Sequence, residues 1–102
     1  MIGEVMSERT LHRAFVTGLG AVTPIGNDVP SFWEGLRSGR NGISWVTSFD
    51  PTDHIVQIAG EVKDFDPEQY LERRVARRTG RFAQFSAAAG LQALEDSGIV
   101  PD

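Results

Sequence analysis

The sequence predicts an α/β layered fold that is incomplete in this chain, and three observations carry that reading. β-Favouring runs at 14–17 and at about 56–62 are separated by a helical repeat and a long loop. A final helix rich in small side chains reads as buried between layers. The chain then stops after a helix, where an α/β pattern supplies its next strand, and two strands are fewer than a free-standing sheet needs.

Ala14-Phe15-Val16-Thr17 is expected to form a strand that ends at Gly18-Leu19-Gly20, where glycine permits the positive φ of a sharp exit. Thr23-Pro24-Ile25-Gly26-Asn27 prolongs the irregular segment, because Pro24 lacks the N–H a central strand requires. Asp28 is placed to cap a helix over 29–38, in which Phe32, Trp33 and Leu36 recur at helical spacing and Gly39 stops the run. Ser31 with Glu34 offers an alternative cap one turn later. Positions 41–53 are rich in turn formers, and Ile43, Trp45, Val46 and Phe49 pin them as a packed loop.

β-Branched residues with partial alternation predict the strand at about 56–62. Asp66-Pro67-Glu68-Gln69 joins a cap, a first-position proline, an acidic first turn and a capping-box glutamine, which predicts a short helix through Leu71. The longest helix spans 81–97, with Thr79 as its candidate cap and Gly98 and Pro101 as its stop. Arg81, Gln84, Gln92 and Glu95 fall on one face, while Phe82, Ala83, Ser86, Ala87, Ala89, Gly90, Ala93 and Leu94 cover the opposite arc. Small side chains dominate that arc, so other layers are expected to approach it closely.

With 102 residues, 40% of them hydrophobic and 24% charged, the chain has the composition of one ordinary domain. A net charge of -4 opposes polyanion binding over the whole surface but leaves room for a local basic patch. The absence of cysteine removes disulfides, thiolate metal sites and a cysteine nucleophile from this chain. Glu4, Glu8, Arg9 and Arg13 interrupt the start too often for a secretory signal, and no apolar run is long enough to span a membrane. The expectation is a cytoplasmic protein without a membrane partner. Residues 1–12 read as a flexible N-terminal extension and 13–102 as one partial domain, with no function assigned to 1–5.

Gly18-Leu19-Gly20-Ala21-Val22-Thr23 has the start of a dinucleotide fingerprint but not its third glycine, and Pro24 and Asn27 delay the helix whose N-terminus would hold the phosphate. It reads as a structural turn. His12 and His54 are the only imidazoles, and the spacing of Asp50, Asp53 and His54 matches no metal motif, so these residues read as solvated loop. Neither a catalytic nor a metal-ligating residue is assigned.

Arg73, Arg74, Arg77, Arg78 and Arg81 form the sharpest feature, half of the ten lysines and arginines of an acidic chain. On a helix, Arg74 with Arg78 and Arg77 with Arg81 would lie one turn apart and repel by about 0.2–0.5 kcal/mol per pair. An anionic partner would relieve that repulsion; Glu68 and Glu72 could also balance it as weak surface pairs.

The run from Ala14 to Asn27 closely resembles the first strand and turn of elongating β-ketoacyl-[acyl carrier protein] synthases. The likeness continues in order through Phe32-Trp33, Ser38-Gly39-Arg40-Asn41-Gly42-Ile43, Phe49-Asp50, Ala59-Gly60-Glu61-Val62-Lys63-Asp64-Phe65, Arg77-Arg78 and Ala93-Leu94-Glu95-Asp96-Ser97-Gly98. It covers nearly all of the chain beyond Leu11, but only the opening part of a family member. The resemblance implies a thiolase-like fold, with helices buried between two sheets, and a decarboxylative condensation of an acyl thioester with malonyl-acyl carrier protein. It implies a nucleophilic cysteine and a pair of histidines that all lie beyond residue 102, no metal or organic cofactor, and a homodimer when full-length.

From the same resemblance, Arg74, Arg77 and Arg78 are expected to dock the acidic carrier protein. Gly80 departs from an aspartate common among relatives, which leaves that patch without a nearby counter-charge. The leading reading includes no nucleic-acid partner. Two alternatives use other features: a nucleic-acid-binding module with the arginines on phosphates, and an assembly fragment whose unpaired strand edges recruit other chains.

Overall fold

A computed structural model describes residues 11–102. Most of the expected N-terminal extension, residues 1–10, therefore lies outside the described residues. The elements run α1 (Val29–Ser38), β1 (Ile43–Trp45), β2 (Ile58–Gly60), a 3₁₀ turn (Pro67–Gln69), α2 (Arg73–Ala76) and α3 (Arg81–Ser97).

Helix α1 has the predicted bounds and caps. Asp28 is extended, and its carboxylate accepts from the Ser31 N–H at 2.8 Å, satisfying one of the donors that a first helical turn leaves free. The alternative start at Ser31 is not used, because its N–H is the donor being capped. Gly39 adopts the left-handed region, φ 71°, and turns its N–H back on the carbonyls of the last turn.

Positions 41–53, expected as loop, contain β1, which pairs antiparallel with β2 so that Ile43 faces Gly60 and Trp45 faces Ile58. Turn formers on either side hide a three-residue β-favouring run from any periodicity test. The expected strand at 56–62 is reduced to Ile58–Gly60, with one further ladder bond from the Val46 N–H to the Gln57 carbonyl, 3.0 Å. Beyond it the Glu61 carboxylate replaces the ladder, accepting from the Thr47 N–H and hydroxyl and the Ser48 N–H at 2.9–3.0 Å. The helix expected through Leu71 is a 3₁₀ turn. Asp66 accepts from the Glu68 N–H, and the Leu71 N–H closes on the Pro67 carbonyl at 2.9 Å.

Two expectations about the first segment are corrected. Residues 14–17 belong to no sheet among the described residues, where no second strand lies alongside to take their N–H and C=O groups. Gly18 and Gly20 do not have positive φ either. Their requirement is space: an added Cβ would lie 2.1 Å from the Ala93 carbonyl oxygen at Gly18, and 1.9 Å from that of Ala89 at Gly20. Extended chain advances roughly 3.3 Å per residue and helix about 1.5 Å, so a two-residue step of this segment keeps pace with a four-residue step of α3. The same register fixes the N–H group that follows each glycine. Leu19 donates to Asp96 and Ala21 to Gln92, each at 3.0 Å.

Gln92 extends this seam. Its amide N–H₂ donates to the Asn27 carbonyl at 2.7 Å and to the Tyr70 hydroxyl at 3.0 Å, which ties the glycine segment, the approach to α1 and the 3₁₀ region to one side chain. Phe65 stacks on Tyr70 and meets Phe85 edge-on, with centroids 6.1 and 5.1 Å apart. Buried apolar residues are otherwise small, Ala76 and Ala88, and among the described residues no large side chain is fully enclosed.

Helix α3 meets the expected close approach on part of its small-residue arc, where Gly18 and Gly20 lie against Ala93 and Ala89, and is open on the rest. The face carrying Gln84, Ala88 and Gln92 is covered, whereas Phe82 is 81% exposed and Gly90 has open space around it. Among the described residues only one side of this helix has a layer against it. The radius of gyration is 19.1 Å, against about 13 Å for a compact domain of this length.

Candidate functional site

The basic cluster is carried by an element that cannot stand alone. Helix α2 has four residues, fewer than helix propagation needs to repay its nucleus, and Glu72 at its N-cap makes no side-chain capping bond. Arg77 keeps helical torsions as its C-cap, and the Arg78 N–H closes on the Val75 carbonyl at 3.1 Å. The Thr79 N–H follows onto Ala76 at 3.3 Å, and its hydroxyl donates to Val75. Thr79 thus finishes α2, and the expectation that it caps α3 is corrected. Gly80 holds that place, without a side-chain bond, and Gly98 ends α3 at φ 71° as predicted.

Five arginines adjacent in sequence divide in space. Arg73, Arg74, Arg77 and Arg78 are exposed and border one open depression. Arg73 lies 3.6 Å from the Glu68 carboxylate, a solvent-exposed pair of small energetic weight. Among the described residues no carboxylate lies within 4.0 Å of Arg74, Arg77 or Arg78. Arg81 leaves the group: its guanidinium sits 5.1 Å from the ring centroids of both Phe65 and Phe85, a cation–π contact that anchors the first turn of α3.

One contributing residue was not singled out by the sequence reading. Gln84, set there on the polar face of α3, is 8% exposed, and its N–H₂ donates to the carbonyls of Ala76 at 3.0 Å and Thr79 at 3.1 Å. A neutral amide within an alanine-rich stretch, on the same face as Gln92, is the available signal. Such a side chain can enter a packed face provided it finds carbonyls to serve.

The remaining polar residues do not converge. His12 and His54 are exposed, and the His54 ring meets Phe49 edge-on at 5.4 Å. Asp50 bonds the Thr52 hydroxyl and N–H, which hold its carboxyl below the usual range. No helix among the described residues is long and apolar enough to cross a membrane.

Residues 12–102 match the family model described as the β-ketoacyl synthase N-terminal domain. Over 88 residues the chain is 50% identical to 3-oxoacyl-[acyl-carrier-protein] synthase 2 of Synechocystis sp., an alignment covering 86% of this chain and 21% of that protein. The protein of the same name from Vibrio cholerae is 47% identical over 94 residues, 92% of this chain and 22% of the relative. The ishigamide ketosynthase/chain length factor superposes with a TM-score of 0.75 at 34% identity, covering 83% of this chain and 21% of the other. The chain thus spans about a fifth of the length of the relatives it matches. The thiolase-like α/β reading holds in the ketosynthase superposition, with a two-stranded ribbon and helices as the part present. Sequence and fold agree over the same stretch, and the chain belongs to the β-ketoacyl synthase family, matching its N-terminal domain.

Proposed function

We propose that this chain is the N-terminal part of a 3-oxoacyl-[acyl carrier protein] synthase, one that condenses an acyl thioester with malonyl-acyl carrier protein in cytoplasmic fatty acid elongation. Residues 13–102 are its partial synthase domain, and the full-length protein acts as a homodimer without a nucleic-acid or membrane partner. The contribution of this part is docking of the carrier protein by Arg74, Arg77 and Arg78. The relatives' names supply the partner, and one observation carries the docking role: three exposed guanidinium groups, without a carboxylate within 4.0 Å among the described residues, share a single short helix and its exit turn. Unneutralised charge of one sign raises the encounter rate with an acidic partner and repels basic ones. Having no cysteine, the chain offers no thiolate to carry an acyl group and is expected to form no ketoacyl product by itself.

Titration of the chain with holo-acyl carrier protein at low and at high salt tests the docking role. Binding should weaken as salt screens the exposed charges, and it should be lost in the triple variant Arg74→Glu, Arg77→Glu, Arg78→Glu. Binding that survives the triple charge reversal, or no binding at low salt, would overturn it.

A further inference from the structure

We infer that Gln84 is the positioning residue of the arginine surface, a role that rests on the docking reading above. Arg73, Arg74, Arg77 and Arg78 carry like charges on a four-residue helix and the turn after it, with only Glu68 nearby as a counter-ion among the described residues. Their repulsion favours splaying the turn. The final carbonyls of so short a helix are met only by its exit turn, with the Thr79 N–H on the Ala76 carbonyl at a long 3.3 Å, and a buried carbonyl gains from a firmer donor.

Gln84 meets both requirements at once. Its N–H₂ spans the Ala76 carbonyl, at the end of α2, and the Thr79 carbonyl, at the end of the exit turn, so its two bonds bracket Arg77 and Arg78. Ala76, at 7% exposure, is buried beside it, so water cannot readily take over the bond to that carbonyl. The base of Gln84 is itself fixed. It lies in the first turn of α3, whose Arg81 rests on Phe65 and Phe85, and its backbone N–H bonds the Gly80 carbonyl at 3.0 Å. Arg81, a member of the sequence cluster but not of the docking set, thus anchors the element that aims the docking arginines. A surface held in its binding geometry before encounter loses less conformational freedom on docking.

Gln84→Met tests this, because it keeps the side-chain volume and removes both donors. Amide hydrogen exchange of the chain should accelerate about tenfold over residues 76–79, the expected effect of losing hydrogen bonds to buried carbonyls, and stay unchanged over α1. Affinity for holo-acyl carrier protein should fall about threefold to tenfold, from lost preorganisation, while its salt dependence keeps the same slope since every arginine remains. Arg77→Ala, by contrast, should reduce that slope.

Acceleration that extends equally to α1 would make Gln84 a general packing residue and overturn the proposal. Unchanged exchange over 76–79, or faster exchange there with unchanged affinity, would overturn it as well while leaving the docking reading intact. Absence of any salt-sensitive binding by the unsubstituted chain would remove the docking reading first, and this role with it.

Discussion

Glu61 does with one carboxylate what a longer strand would do with several ladder bonds. Hydrogen bonds hold its pKa down to about 2 from an ordinary 4.5: the Ser48 side chain contributes most, followed by the N–H groups of Thr47 and Ser48. The folded value lies below the unfolded one, so the stabilisation is fully present above pH 4.5 and is lost as pH falls from 4.5 through about 2. A pH series of the Thr47 and Ser48 amide shifts should show a midpoint near that low value; a midpoint at the ordinary carboxylate pKa would contradict the clamp. Composition could not disclose such a role, since a glutamate after a strand looks like any solvated acid. The same holds for Gln84 and Gln92, whose use depends on carbonyls brought from elsewhere in the chain. What was legible at this scale was residue type joined to local geometry: Asp28 as a cap, and Gly39 and Gly98 as left-handed stops.

Elements that satisfy their own backbone were legible, and elements that need a partner were not. Helix α1 closes its hydrogen bonds internally and encodes both ends within its own sequence, so its bounds follow from Asp28, the apolar spacing and Gly39. Strand β1 exists because β2 lies beside it, a fact that its three residues do not contain. The run at 14–17 has the β-favouring composition without a strand to pair with among the described residues, and it runs on into glycines fitted to a helix. Helix α3 was recognised at full length, and its small residues do admit a neighbouring backbone, with Gly18 and Gly20 against the Ala93 and Ala89 carbonyls, while Phe82 and Gly90 have no layer against them among the described residues. The N-cap of α1 is open to direct measurement. Asp28→Ala removes the acceptor for the Ser31 N–H, and the loss should be about 1 kcal/mol. Amide exchange at Ser31 and Phe32 should quicken correspondingly while the β1–β2 ladder keeps its protection. Equal protection in the variant would show that the first turn is held by packing instead.

For the whole molecule, burial decides what kind of folded state this chain can have. Its apolar residues are numerous enough for an ordinary core, yet Phe15, Val16, Trp45, Phe82 and Val100 are each more than two-thirds exposed, and among the described residues the buried apolar set is two alanines. Burial stabilises by about 25 cal/mol per Å² of apolar surface removed from water, whereas ordering each backbone residue costs about 1–2 kcal/mol. With so little large apolar surface enclosed, side-chain packing cannot supply the cooperativity that gives a small domain a single sharp transition. What remains is mostly local and polar: caps, the Glu61 clamp, and the Leu19–Asp96 and Gln92 ties along α3. Such bonds retain helices while leaving tertiary packing loose. The isolated chain should therefore show helical far-ultraviolet circular dichroism, weak near-ultraviolet signal from Trp33 and Trp45, binding of a hydrophobic dye, and a broad thermal transition. A sharp two-state melt as a monomer without dye binding would contradict this. It would mean that the exposed face of α3 and the tryptophans are covered in solution by the chain itself, in a more compact arrangement than its 19.1 Å radius of gyration describes.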